Sequence, residues 1–278
     1  MATIAQKRAS ARSLMEIRRH RAITRAISYA IGLSAFVIVA LGYELFARYG
    51  GFSPKLVPGL GAIAQALVRL TANGVLLASA AATLYRLIAG FLLACVIGVS
   101  VGMLMGHYEW AEDTLLPLTT FFYPIPGLAY APLFVMWFGL GDLPTIMLVG
   151  TSSCFVVIVN TWKGVKAVKP IWQRSARAMG ATDRDLFLRV ILPGSLPYIL
   201  IGLRLGLANA WRILIAVEMV TSVQRGLGWM IFGAQTFLNT DVMLATIVVI
   251  GAIGLLLEKQ VFQRVENYTV ARWGMIAT

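Results

Sequence analysis

The sequence predicts an all-α membrane protein with six transmembrane helices, and three observations support this class. Hydrophobic residues make up 59% of the 278-residue chain and charged residues only 13%, and the mean hydropathy is +0.78. A soluble domain of this length needs far more polar surface. The apolar runs are continuous and long enough for helical spans of about 20 residues, whereas barrel strands would alternate apolar and polar residues.

Six spans with their connections account for most of the chain. The predicted spans cover residues 27–47, 76–105, 112–138, 144–162, 195–217 and 241–257. A basic segment, residues 1–26, precedes the membrane domain, residues 27–258, and a tail, residues 259–278, follows it. A polar insert at 164–193 separates the fourth span from the fifth. The stretch 218–240 is rich in Gly, Gln and Asn, and is too polar for a simple span.

The basic residues are distributed asymmetrically along this pattern. Seventeen of the 24 Lys and Arg residues lie before the first span, from Lys163 to Arg189, or after residue 258, and six spans place all three segments on one side. Only four lie in the opposite connections: Arg48, Lys55, Arg69 and Arg225. This positive-inside pattern predicts a multi-pass protein whose two termini and insert are cytoplasmic. It also accounts for the net charge of +12 without a nucleic-acid partner; membrane lipid is the partner expected.

Small residues and prolines predict how the spans pack. Gly98, Gly102 and Gly106 recur every four residues, and Gly202 and Gly206 repeat this spacing in the fifth span. Such a ridge lets another helix approach closely. The third span contains four prolines, Pro117, Pro124, Pro126 and Pro132. Because each proline removes a backbone donor, we expect a broken span in the bundle interior or beside a pathway.

The insert is predicted to form two helices joined by a tight turn. Pro170 suits the first turn of a helix, and Gly180 can end that helix in the left-handed conformation. Thr182 and Asp185 resemble a capping box that starts a second helix, which we predict to stop at Pro193.

One face of the first predicted helix is apolar or small. Its members recur at helical spacing: Ile171, Ser175 and Met179, and Trp172, Ala176 and Gly180. Such a face fits close docking of a partner protein. The alternative is an amphipathic hairpin that lies on the inner leaflet of the membrane.

Motifs in and around the insert point to a known family. The insert contains Ser175-Ala176-x-x-x-Gly180 and, after nine residues, Val190-x-Leu192-Pro193. This spacing resembles the cytoplasmic EAA motif of binding-protein-dependent ABC importer permeases. Further motifs match the nitrate/sulfonate/taurine-type branch in order and spacing, so that the resemblance covers nearly all of residues 55–260. They are Tyr123–Pro132, Trp137–Gly141, Asn160–Gly164, Gly202–Gly206 and Val217–Met219. Arg174 departs from the pattern, since the motif usually has a glutamate there.

The resemblance implies a MetI-like type I importer permease in a bacterial inner membrane. It implies a homodimer that docks on two ATPase subunits through a coupling helix, and a periplasmic binding protein that delivers a small nitrate-, sulfonate- or taurine-like anion. The docking residues so implied are Ser175, Ala176, Met179, Gly180, Ala181, Asp183, Asp185, Leu192 and Pro193. The chain is then no enzyme and binds no cofactor or metal; ATP and Mg²⁺ belong to the partner subunit. The sequence contains no GxxxxGK[ST] phosphate-binding loop, which agrees with this division.

Ionisable residues in apolar spans are costly and often face a cavity. The candidates of this kind are Arg86, Arg204, Arg212 and Glu218. We take Arg212 and Glu218, with Tyr123 and Pro126 of the broken span, as candidate pathway residues. The structural alternative is that Arg212 and Glu218 only pair, and that Arg86 and Arg204 reach lipid headgroups.

Two other classes of function remain open on the residues alone. An ion- or proton-coupled secondary transporter, or a channel, would explain the broken span without an ATPase partner, but it would not explain the insert. A membrane scaffold would explain the glycine ridges, but not the broken span.

Overall fold

A computed structural model describes residues 31–32, 34–221 and 224–262, with side chains as far as residue 259. The chain divides into two compact units, Met1–Ala64 and Gln65–Thr278. In the first unit, helix α1 (residues 34–49) is tied to the loop after it. The Tyr43 hydroxyl donates to the Pro58 carbonyl at 2.7 Å, and the Leu60 N–H donates to the Glu44 carboxylate at 2.7 Å. The predicted first span lies partly outside the described residues. The basic N-terminal segment, residues 1–26, and most of the tail lie wholly outside them.

The other helices follow in chain order. They are α2 (Leu60–Ala72), α3 (Val75–His107), α4 (Glu109–Phe122), α5 (Ala131–Phe138), α6 (Asp142–Lys166), α7 (Pro170–Ala178), α8 (Asp183–Leu186), α9 (Leu192–Val220), α10 (Leu227–Thr236) and α11 (Thr240–Leu256). Within the described part of the chain, four helical stretches are long and apolar enough to cross a membrane, and the bent pair α4 and α5 is a fifth if counted as one span. The all-helical class is confirmed, but the described residues supply four or five of the six predicted spans.

Helices α3, α6 and α9 form the centre of the second unit, and glycines set how closely they approach. A Cβ atom at Gly98 would lie 2.6 Å from Cβ of Val157, and one at Gly102 would lie 2.6 Å from Cβ of Thr161. On α9, a Cβ atom at Gly206 would lie 2.8 Å from Cγ2 of the same Val157. Both predicted glycine ridges are therefore confirmed as packing surfaces, and α6 is the helix between them.

The third span is broken, as its prolines predict. Helix α4 continues through Pro117, the chain turns through a 3₁₀ segment at Gly127–Tyr130, and α5 follows with Pro132 in its first turn. The two halves meet at an angle of 91°. Gly127 is buried at this bend, where an added Cβ atom would overlap the Ser152 side chain on α6. The break in the span therefore packs directly against a central helix.

The predicted helix stop at Pro193 is wrong. Helix α8 passes through one π turn, Phe187–Ile191, into α9, so that helix runs without interruption from Asp183 to Val220 over 38 residues. At the end of the π turn the Leu192 N–H donates to the Phe187 carbonyl, five residues back. A proline lacks an N–H and its ring crowds the carbonyl four residues before it. The wider π turn makes room for that ring, so Pro193 starts α9 instead of ending α8.

The polar stretch before the last span contains a short helix and not a span. Helix α10 has ten residues and packs against α9 and α11. Helix α11 continues into a π-helical end, Leu257–Phe262, close to where the sixth predicted span ends. The interpretation of residues 218–240 as a non-spanning element is therefore confirmed for the part that the structure describes.

Candidate functional site

The first helix of the insert ends at Gly180 in a tight turn, as the sequence predicts. Helix α7 begins at Pro170 and is followed by Met179 as its cap and by Gly180 at φ 85°. The Gly180 N–H donates to the Arg177 carbonyl at 3.0 Å, and the Ala181 N–H donates to the Ala176 carbonyl at 3.0 Å. These two bonds satisfy the free carbonyls at the helix end in the Schellman arrangement. The turn is therefore defined by its own backbone.

The second helix of the insert starts on a side-chain cap. The Asp185 N–H donates to the Thr182 hydroxyl oxygen at 3.2 Å, and that hydroxyl donates to the Asp185 carboxylate at 2.6 Å. The hydrogen bond from Thr182 holds the pKa of Asp185 below its usual value, and Arg189 at 3.4 Å from the carboxylate lowers this pKa further. The capping-box prediction is confirmed, with the acidic side chain bonded to the capping hydroxyl.

The insert rests on the ends of the membrane helices. Ala176 of α7, Leu186 of α8 and Ile191 are buried in one apolar cluster with Met103 of α3 and Ile199 of α9. The predicted apolar face of α7 therefore divides, because Ala176 points into the protein. The remaining members stay at the surface, and three of them are large: Ile171, Trp172 and Met179 are 60%, 50% and 82% exposed.

The predicted docking residues are brought together around the turn. Ala176, Met179, Gly180, Ala181 and Asp185 line one open depression of about 360 Å³. Ser175 and Asp183 are exposed beside it, and Leu192 and Pro193 lie about two helical turns beyond Asp185, at the start of α9. Arg174 is exposed and makes no ion pair with any described residue. Small, apolar and charged side chains therefore line the depression, on an insert whose backbone is held by the turn at Gly180.

A buried ion-pair network lies at the other end of α9. The Arg86 Nη1 donates to the Glu218 carboxylate at 2.6 Å, and the Arg86 Nε donates to Asp142 at 2.8 Å. Glu218 also accepts from the Thr83 hydroxyl at 3.0 Å and from the Gly228 N–H at 2.9 Å. Glu218 is fully buried and Arg86 is 4% exposed. The idea that Arg86 reaches a lipid headgroup is therefore wrong, and Glu218 pairs with Arg86 and not with Arg212.

Sequence reasoning missed this network because its members lie far apart in the chain. The available signal was the presence of one buried cation and one buried anion in apolar helices, which tend to pair. Thr83 and Gly228 gave no signal, since a hydroxyl and a backbone N–H are present everywhere.

The other candidate pathway residues lie apart from the network. Tyr123 and Pro126 are exposed where the third span breaks. Arg212 is exposed on α9, with its Nε donating to the Ala208 carbonyl at 3.0 Å. Arg204, two turns before it, pairs with Glu258 at 2.7 Å. Among the described residues, no three His, Cys, Asp or Glu side chains are grouped so that they could hold a metal ion.

Comparison with known proteins identifies the family. Residues 94–259 match the family model described as "Binding-protein-dependent transport system inner membrane component". A putative ABC transporter permease protein of Methanocaldococcus jannaschii is 35% identical over 256 residues, which cover 90% of this chain and 94% of that protein. The taurine transport system permease protein of Escherichia coli is 34% identical over 241 residues, 85% of this chain and 86% of its own length.

A third relative and a solved structure extend the comparison. The bicarbonate transport system permease protein of Synechococcus elongatus is 34% identical over 179 residues, 64% of each chain. An inward-facing structure of the MetNI methionine ABC transporter has a chain that aligns with a TM-score of 0.60 at 18% identity, covering 70% of this chain and 96% of that one. This likeness shows the type I permease fold. The chain therefore belongs to the family of binding-protein-dependent transport system inner membrane components, the permeases of ABC transporters.

Proposed function

We propose that this chain is the membrane subunit of an ATP-driven importer that moves a small anion into the cytoplasm by alternating access. Relatives are named for taurine, for aliphatic sulfonates and for bicarbonate. These solutes differ in size, but each presents a sulfonate or carbonate group, an oxyanion with one negative charge. The shared feature is this singly charged oxyanion group, since taurine also has an ammonium group, and it supports a solute with a singly charged oxyanion group as the class transported.

The observation that carries the proposal is the exposed surface of the insert. Three large apolar side chains of α7 and its cap are exposed, whereas the buried Ala176 fixes the helix from the other side and a defined turn ends it. A membrane surface would accept apolar side chains, but it would not need the depression of about 360 Å³ beside Gly180. A protein partner that inserts a side chain there fits both features, as interface anchors commonly fill such pockets.

The partner in this proposal is an ATPase subunit, and the complex is a dimer of permeases with two ATPase subunits and a periplasmic binding protein. The complex lies in the inner membrane with both termini of the permease cytoplasmic. ATP and Mg²⁺ are bound by the ATPase subunits, and the permease itself contributes no cofactor. Closure of the ATPase dimer pulls on the insert, and the helix that is continuous from Asp183 to Val220 transmits this movement to the third, fourth and fifth spans.

Co-purification of the ATPase subunit tests this proposal, with Gly180→Leu as the variant. The new side chain fills the depression, and nothing lies within 4 Å of its Cβ atom, so the fold is retained apart from the left-handed strain at φ 85°. Gly74→Leu is the matched control, because Gly74 has φ 70°, equally open surroundings and a place at the opposite end of α3. The strain is about 1–2 kcal/mol in both variants.

We expect Gly180→Leu to lose the ATPase subunit and ATP-driven uptake, and Gly74→Leu to retain both. Equal retention by the two variants would show that the partner does not dock at this turn. If the wild-type permease purifies without any ATPase subunit and still gives proton- or sodium-driven uptake, the secondary-transporter alternative is correct instead.

A further inference from the structure

A cavity of about 510 Å³ lies between helices α9 and α11. Its walls include Leu207 and Trp211 of α9 and Gly254 of α11, and three charged side chains face it: Arg204, Arg212 and Glu258. Its volume is in the range of small-molecule sites. The cavity is separate from the ion-pair network around Glu218, with which it shares no residue.

The charges in this cavity do not cancel. Arg204 and Glu258 form an ion pair at 2.7 Å and neutralise one another. Arg212 makes one hydrogen bond, from Nε to a carbonyl of its own helix, and no carboxylate of the described residues lies within 4.0 Å of its guanidinium. The lining therefore has a net charge of about +1. A cation in an apolar helix is costly unless water or an anion compensates it.

A second donor faces the same space. The Trp211 indole lies against Gly254, where an added Cβ atom would be only 2.9 Å from the indole Nε1. That N–H has no acceptor among the residues that the structure describes. A guanidinium presents its N–H groups in a planar fork that matches an oxyanion, and an indole N–H can add a further bond. Both donors belong to side chains that line the same cavity.

We infer that this cavity is an anion-binding site in which Arg212 and Trp211 hold the oxyanion group of a singly charged solute. The inference rests on the proposed function and names where the permease itself contacts the transported anion. A net charge of one favours a monoanion, because a second negative charge would stay uncompensated in an apolar surrounding. The site therefore selects methanesulfonate or bicarbonate over sulfate.

The variants that test the site are Arg212→Gln, Arg212→Lys and Gly254→Ala. Arg212→Gln removes the charge, whereas Arg212→Lys retains it without the planar fork. Gly254→Ala displaces the Trp211 indole and leaves Arg212 in place. Gly233→Ala is the control, because a Cβ atom at that position on α10 meets nothing within 4 Å.

The first measurement is the rise in unfolding temperature of the purified full-length chain with methanesulfonate, bicarbonate or sulfate. The second is ATP-driven uptake of the same anions by the complete complex in liposomes of neutral phosphatidylcholine. We expect the two monoanions to stabilise the wild type and sulfate to have little effect. Arg212→Gln should weaken binding and uptake roughly tenfold or more, as for the loss of a charged hydrogen bond. Arg212→Lys should retain part of both, Gly254→Ala should lower both, and Gly233→Ala should change neither.

The outcomes separate this inference from the proposed function. If Arg212→Gln takes up the anions at the wild-type rate, the proposed anion site is overturned, whereas the proposed importer function is unaffected. Monoanion stabilisation that depends on Arg212, in a complex without ATP-driven uptake, supports the site and refutes the importer. If Arg212→Gln acts only in liposomes that contain phosphatidylglycerol, the oxyanion belongs to a lipid headgroup and the solute site is overturned.

Discussion

Removal of Arg86 should destabilise the protein strongly, because its partner would keep a buried charge. In Arg86→Met the fully buried Glu218 carboxylate retains the bonds from Thr83 and Gly228 but loses its cation at 2.6 Å. Breaking a buried pair from one side costs about 3–5 kcal/mol. Glu218→Gln should cost less, about 1–3 kcal/mol, since Arg86 keeps Asp142 at 2.8 Å, a carboxylate that is 56% exposed.

Thermal unfolding of the detergent-purified chain measures this difference. At about 2–4 °C per kcal/mol for a protein of this size, Arg86→Met should lower the midpoint by roughly 6–20 °C. Arg69→Met is the control, because the Arg69–Asp241 pair at 3.3 Å is exposed and worth about 0–1 kcal/mol. The double variant Arg86→Met/Glu218→Gln should lose less stability than the two single variants added together. A midpoint for Arg86→Met within 2 °C of the Arg69→Met midpoint, or strict additivity in the double variant, would refute the reasoning.

Two further predictions concern the helix interface and the insert. Gly98→Ala should destabilise the protein by about 1–3 kcal/mol, because the new Cβ atom would lie 2.6 Å from Cβ of Val157. Thermal unfolding measures this loss. The control is Gly251→Ala, whose Cβ atom meets nothing within 4 Å and whose midpoint should stay close to that of the wild type. Thr182→Val should raise the pKa of Asp185 toward the usual aspartate value, measurable by carboxyl ¹³C NMR, and an unchanged pKa would contradict the assigned cause. The pKa of Asp185 is lower in the folded protein than in the unfolded chain. The cap therefore stabilises the turn fully at pH values above the unfolded pKa, and this stabilisation is lost as the pH falls through the folded pKa.

The local features of this chain could be predicted from the sequence because each depends on nearby residues. The turn at Gly180, the cap at Thr182 and the break in the third span follow from residue types with strong backbone preferences. The same kind of rule failed at Pro193, where one π turn placed before the proline removed the conflict that would have ended the helix. A helix stop inferred from proline alone therefore depends on whether the preceding turn can widen.

Contacts between distant parts of the chain were not accessible in this way. The glycines of the third and ninth helices indicated close packing, but the facing Val157 and Thr161 are ordinary apolar or small residues of a span. The partner of Glu218 lies 132 residues away, whereas the sequence suggested Arg212, which is six residues away. The cavity between α9 and α11 likewise depends on how two spans diverge.

The unbroken helix from Asp183 to Val220 makes the two ends of the permease mechanically unequal. If Gly206, one of the glycines at which α9 packs on α6, serves as the pivot of a tilt, the pivot lies about 35 Å from Asp183 and about 18 Å from Glu218. A tilt that moves the docking turn by about 3 Å would move Glu218 by about 1.5 Å. That displacement would stretch its 2.6 Å bond to Arg86 beyond ion-pair distance. In such a tilt the inner arm, about twice as long, would double the force at the outer end, and the Arg86–Glu218 pair would break only once the insert had moved by about 3 Å.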